Sequence, residues 1–110
     1  MKQTDCIIIS TTCADKQQAE EIAAHLLKKR LVACVQMQNI ESHYHWKDKK
    51  VHDTEISLSM KTVAGHYSAV QAEITALHRY EVPQIIATPI THALPDYLLW
   101  IQEETSPSCT

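Results

Sequence analysis

From Leu31 to Lys61 the chain alternates apolar and polar positions in two runs separated by a charged break. In the second run Ile56, Leu58 and Met60 alternate with Glu55, Ser57, Ser59 and Lys61, the period-two pattern of a half-buried strand. In the first run Leu31, Ala33, Val35 and Met37 share one side of LVACVQM. A two-residue loop at Lys47 and Asp48 places Val35 opposite Met60 and Met37 opposite Leu58. The two apolar faces then coincide, which predicts one β-hairpin. That hairpin is long for its chain. Leu31 to Trp46 would run about 50 Å at ~3.3 Å per residue, whereas a compact chain of this length is about 35 Å across. The strand must bend or protrude, and Gln38 to Glu41, where the alternation breaks, is the expected place. Tyr44 and Trp46 face away from Ile56, Leu58 and Met60 unless a bulge resets the parity. Aromatics on such an arm either meet a partner surface or fold back on their own domain.

The remaining periodicities complete the fold. CIIIS, from Cys6 to Ser10, reads as a strand covered on both faces, and Thr11 to Ala14 as a connection. Asp15 and Gln18 form a capping box ahead of a helix whose stripe is Ala19, Ile22, Ala23, Leu26 and Leu27. Lys28, Lys29 and Arg30 complement its dipole. Thr62 to Gly65 turns into a second helix, with Tyr67, Val70, Ile74 and Leu77 inward, which is over by Pro83. Gln84 to Ile90 is a fourth strand, placed at an edge or a strand end by Pro89. Pro95 opens a last helix carrying Tyr97, Leu98, Trp100 and Ile101, and residues 103–110 form a polar tail. The order β-α-β-β-α-β plus a C-terminal helix predicts one α+β domain over residues 1–110. Its class is the ferredoxin-like split β-α-β sandwich: a four-stranded antiparallel sheet with two helices on one face.

Composition narrows the function. With 110 residues, 45% hydrophobic and 21% charged, the chain is an ordinary single globular domain. A net charge of −3 argues against a nucleic-acid partner. There is no 18-residue apolar run, and the start MKQTD is no signal peptide, so no membrane partner is expected and the location expected is cytoplasmic. One glycine, Gly65, leaves nothing from which to build a phosphate loop. No nucleophile-base order matches a hydrolase motif, and His92 beside Thr91 does not make one; the chain is not expected to be an enzyme. Cys6, Cys13, Cys34 and Cys109 form no C-x-x-C pair, and Cys6 and Cys34 read as small core residues. No cofactor is obligatory. His43, His45 and His52 cluster on the hairpin. His43 opposes His52, or His45 does if the loop shifts to Asp48-Lys49. Two facing imidazoles either share a Cu or Zn ion or serve as ordinary polar strand residues.

LVACVQM at Leu31, HYHWKDKKVHDTEISLSMKT at His43, HRYEVPQIIATPI at His78 and DYLLWI at Asp96 resemble the CutA family over nearly the whole chain. Its members are called divalent-cation tolerance proteins. The resemblance implies a homotrimer in which strands extended from the hairpin pack onto neighbouring subunits, similar to the PII signalling proteins. It also implies metal tolerance in a regulatory setting, with copper binding in some members. The ligands proposed in bacterial members are a cysteine after the first strand and a His-His pair before a Tyr-Glu-x-Pro motif. Here Thr11 stands at the cysteine position with Cys13 two residues on, and Leu77 replaces the first histidine, leaving His78. Metal is expected at His78 and Cys13, or on the hairpin histidines. Cys34, Trp46, Glu55, Lys61, Tyr80 and Trp100 fall in the same motifs and are expected to line a cleft between subunits. A carboxylate, an ammonium and aromatic walls would take a small anionic or zwitterionic ligand there, as in a PII-like sensor. Alternatively, Glu55 and Lys61 only pair across the interface while the aromatics pack it.

Overall fold

Strands form where the period-two runs were read, and helices where apolar residues recur at three and four. The computed structural model describes residues 2–106. In chain order the elements are β1 (Cys6–Cys13), α1 (Lys16–Lys28), β2 (Cys34–Trp46), β3 (Lys49–Val63), α2 (Tyr67–Leu77), β4 (Ile85–Pro89) and α3 (Pro95–Glu104), with a short 3-10 turn at Ala64–His66 before α2. The strands make one sheet in the order β2-β3-β1-β4, every neighbouring pair antiparallel. This is the ferredoxin-like arrangement. Ile9 of β1 and Leu58 and Met60 of β3 meet Ile22 and Leu26 of α1 and Ile74 of α2 in the core.

The hairpin takes the expected register, with Val35 opposite Met60, Met37 opposite Leu58 and His43 opposite His52. It does not bend at Gln38. Every residue from Cys34 to Trp46 has a partner on β3 without a bulge, and the molecule measures 47 × 30 × 21 Å. The arm protrudes instead, because its outer residues have no helix beneath them to curve around. At its tip Lys47 and Asp48 have φ of 50° and 66°, the left-handed pair of a type I′ turn that Asn-Gly usually supplies.

Several boundaries and one helix cap differ from the expected ones; among them, β3 continues through Thr62 and Val63 and β4 is confined to Ile85–Pro89. β1 continues through Thr11, Thr12 and Cys13, which pair with Leu58, Ser57 and Ile56; β-branched threonines suit a pleated surface. β2 begins at Cys34, since the Leu31 amide is still bonded to the Leu26 carbonyl at the close of α1. The capping box is half made. Asp15 Oδ1 accepts from the Gln18 amide at 2.9 Å, but the Gln18 side chain crosses to the end of α2. α3 includes Glu103 and Glu104, so the polar tail starts later than residue 103; residues 107–110, with Cys109, lie outside the described residues.

Strand parity gives the sheet two distinct faces. One carries Ile7, Ile9, Leu58 and Met60 under α1 and α2. The other carries Cys34, Lys61, Ser59, Glu55 and Tyr44, and α3 covers only one end of it, where the Cys6 thiol meets the Leu98 carbonyl and Cys34 meets Tyr97. This half-covered outer face holds most of the chemistry.

Candidate functional site

His78 follows the last turn of α2, held by its amide bonding to the Ile74 carbonyl at 2.8 Å. Its ring reaches the end of β1. Nε2 lies 2.7 Å from the Thr12 carbonyl, and the Tyr80 amide donates to Nδ1 at 3.1 Å. A carbonyl accepts and an amide donates, so the proton sits on Nε2 and the Nδ1 lone pair is used. The Cys13 thiol lies 3.9 Å from Nε2. Burial, with the charges of Asp15 and Glu55 behind it, pushes that thiol up to about 11. The two donors are therefore neighbours, but the imidazole has no free lone pair and the thiol is held in its protonated, weakly ligating form. The residues as placed do not fit a metal ion there.

The hairpin histidines are more accessible. His43 and His52 stack with ring centroids 4.0 Å apart and planes 12° from parallel. His52 Nε2 lies 3.1 Å from Glu41 Oε1, and His45, opposite Lys50, shares their face at the edge of a shallow cavity of about 310 Å³. Lone pairs in parallel planes do not converge, so chelation requires one ring to turn out of the stack. Among the described residues no three His, Cys, Asp or Glu side chains are grouped as a metal needs.

The six residues expected in one cleft fall into two groups. Trp46, Glu55 and Tyr80 line a cleft of about 830 Å³ on the outer face, between the hairpin and the connection from α2 to β4. Glu55 is buried, and its Oε2 accepts from the Tyr80 hydroxyl at 2.6 Å. Burial and that bond drive the Tyr80 hydroxyl far above the usual phenol range. Cys34, Lys61 and Trp100 sit at the other end. Cys34 Sγ is 3.9 Å from the Tyr97 hydroxyl, Tyr97 stacks on Trp100 at 5.5 Å, and Lys61 bonds Gln36. Lys61 is roughly 20 Å from Glu55 along β3, so within one chain no small ligand spans carboxylate and ammonium.

Arg79 and Glu81 line the cleft and Asp53 lies beside it, bonded to the lining Tyr44; none of the three is among the residues expected there. Asp53 accepts from Tyr44 at 2.9 Å, which raises the Tyr44 hydroxyl. Arg79 lines the cleft but gives its guanidinium to Asp15 at 3.1 and 3.4 Å. The bond from the Gln18 amide, and then that guanidinium, hold the Asp15 carboxyl below the usual range. Glu81 takes Lys47 from the hairpin tip at 3.4 Å. Asp53 was readable from the register, which sets it diagonal to Tyr44 on one face. Arg79 and Glu81 left no such signal, because loop residues have no parity.

A family model described as CutA1 divalent ion tolerance protein matches residues 7–104. The divalent-cation tolerance protein CutA of Pyrococcus horikoshii is 36% identical over 99 residues, covering 90% of this chain and 97% of its own. Of solved structures, the periplasmic divalent cation tolerance protein CutA from Archaeoglobus fulgidus is 36% identical at a TM-score of 0.90, covering 92% of this chain and 99% of its own. CutA from Xylella fastidiosa is 39% identical at a TM-score of 0.90, covering 93% and 99%. The likeness spans the first strand, the long arm and α3 alike, and with them both ends of the outer face; the chain belongs to the CutA1 divalent ion tolerance family.

Proposed function

We propose that the protein works as a homotrimer that binds a divalent transition metal, copper or zinc, in a tolerance or regulatory role, without covalent chemistry. The protruding arm carries the assembly reading. Among the described residues its β2 edge is open, as is the β4 edge across the sheet, and Tyr44 and Trp46 remain 38% and 39% exposed beyond the reach of the helices. Open edges and uncovered aromatics are relieved by a neighbouring copy. Divalent-cation tolerance is what the relatives are named for. Within this chain the hairpin imidazoles are the better donors, since both ring nitrogens of His78 are already engaged. The free thiols of Cys6, Cys13 and Cys34 suit a reducing compartment, and we place the protein in the cytoplasm. The cleft of about 830 Å³ favours a second use, PII-like sensing of a small molecule.

Sedimentation and calorimetry test the main reading. The parent should sediment as a trimer at micromolar concentration, and Trp46→Ala should weaken it by about 2–4 kcal/mol if the ring is an interface anchor. A parent that stays monomeric ends the assembly reading. Titration with Cu(II) and Zn(II) should lose binding in a His43/His45/His52 triple alanine variant and keep it in His78→Ala. The reverse result returns the metal to His78 and Cys13.

A further inference from the structure

We infer that His78 is a positioning residue: its neutral imidazole braces the end of β1 to the connection after α2, and so sets Tyr80 against Glu55. The need for a brace follows from where the elements stop. β4 pairs with β1 from Ile7 to Thr11 and no further, so Thr12, 8% exposed, lies past the last paired residue on that side. A buried carbonyl without a donor is costly, and the His78 Nε2–H supplies one at 2.7 Å. At the other end α2 stops at Leu77 and His78 is extended, with ψ of 138°, which carries the Tyr80 amide beyond the helical ladder. Nδ1 accepts from that amide at 3.1 Å. One group must therefore donate on one side and accept on the other, as a neutral imidazole does.

The brace reaches the cleft through Tyr80. The two rings pack with centroids 4.7 Å apart and planes at 42°. The Tyr80 hydroxyl then donates to Oε2 of Glu55, a carboxylate only 6% exposed. Arg79, between the two rings in sequence, is fastened to Asp15 at 3.1 Å, which leaves the segment little room to swing. All of these bonds are made within one chain. A metal at Nδ1 would displace the Tyr80 amide, and a metal at Nε2 would strip the Thr12 carbonyl of its donor. Ligand and brace are exclusive roles, so the inference assigns His78 a function whether or not the hairpin histidines hold metal.

Ring nitrogen-15 NMR and a double-mutant cycle test this on the intact protein at fixed concentration. The His78 ring, assigned by its loss in His78→Asn, should be the Nε2–H tautomer and should not shift with equimolar zinc chloride. An Nδ1–H or mixed tautomer, or a zinc-induced shift of this ring, overturns the brace. Zinc that moves no histidine ring at all would sink the hairpin metal reading while still supporting the brace. In the cycle, Tyr80→Phe should raise the unfolding constant roughly 10-fold or more in the parent, because it removes a bond to a buried carboxylate. The same cost is expected in His78→Asn, whose Oδ1 stands in for the Nδ1 lone pair. In His78→Ala it should largely vanish, since Tyr80 is no longer held over Glu55. Equal costs in all three backgrounds, or a cost lost in His78→Asn, overturn the proposal. Should His78→Ala fail to fold, the ring spectrum of the parent and the His78→Asn arm decide.

Discussion

Two halves of β3 share one unbroken register and have opposite surroundings. From Leu58 to Thr62 every second residue is fully enclosed under α1 and α2; from Lys49 to Thr54 the same strand, still paired to β2, is largely open. Parity therefore decides which way a side chain points, but the layer above decides whether it is buried. The histidines follow the same division. His78, at the covered end, has its ring fixed by two backbone groups, whereas His43 and His52, on the arm, hold only each other and Glu41. Histidine content alone does not make a metal site; lone pairs left free by the local packing do.

The sharpest way to break this contrast uses one cross-strand pair. Leu58 is fully buried and Met37, directly opposite, is 39% exposed. Leu58→Ala should cost about 2–5 kcal/mol in denaturant unfolding, and Met37→Ala under ~1 kcal/mol in the dissociated chain. Equal costs would mean that the arm packs as tightly as the core. A smaller effect of opposite sign is expected at Thr11, whose hydroxyl is buried under the helices without a partner among the described residues. Thr11→Val should raise the unfolding free energy by about 1 kcal/mol, read as a higher denaturant midpoint at unchanged slope; a lower midpoint would show that the hydroxyl is satisfied in solution. At the arm's tip, Asp48→Gly should stabilise the left-handed turn by ~0.5–1 kcal/mol, read as a higher melting temperature, and no change would mean the turn is not under strain.

The smallest effect is on the acid limb. Glu73 of α2 bonds His25 and pairs with Lys29 of α1 at 2.9 Å, and these contacts, the His25 bond first, hold its carboxyl below the ordinary 4.5. A depressed carboxyl stabilises the fold above the unfolded value and loses that contribution as pH falls through the folded one. Glu73→Gln should flatten the loss of stability below about pH 4.5, followed by melting at stepped pH. An unchanged acid limb would remove this pair from the links between the two helices.

What was legible in the sequence follows the same physics. The hairpin register could be read because Val35, Met37, Leu58 and Met60 must share a face, and a slip of one residue would expose all four. Thr11-Thr12-Cys13 looked like a connection because its run is polar; its strand state depends on pairing with Leu58, Ser57 and Ile56, residues more than forty positions away. The separation of Lys61 from Glu55 was implicit in their spacing along one strand. The state of the His78 ring was not legible at all, since its partners are a carbonyl of β1 and an amide in a loop, groups that every residue carries.

Gln18 extends that last point to motion. Its side chain donates to the Leu77 carbonyl at 3.2 Å and accepts from the Arg79 amide at 2.8 Å, substituting for the backbone partners that α2 lacks beyond its last turn. The loop that places His78 and Tyr80 is thus fastened by a residue on α1, far upstream in the chain. Amide exchange at Arg79 should track the opening of the α1 helix rather than local fraying of α2, so the two would lose protection as one cooperative unit. The shape of the cleft is then inherited from a helix that does not line it.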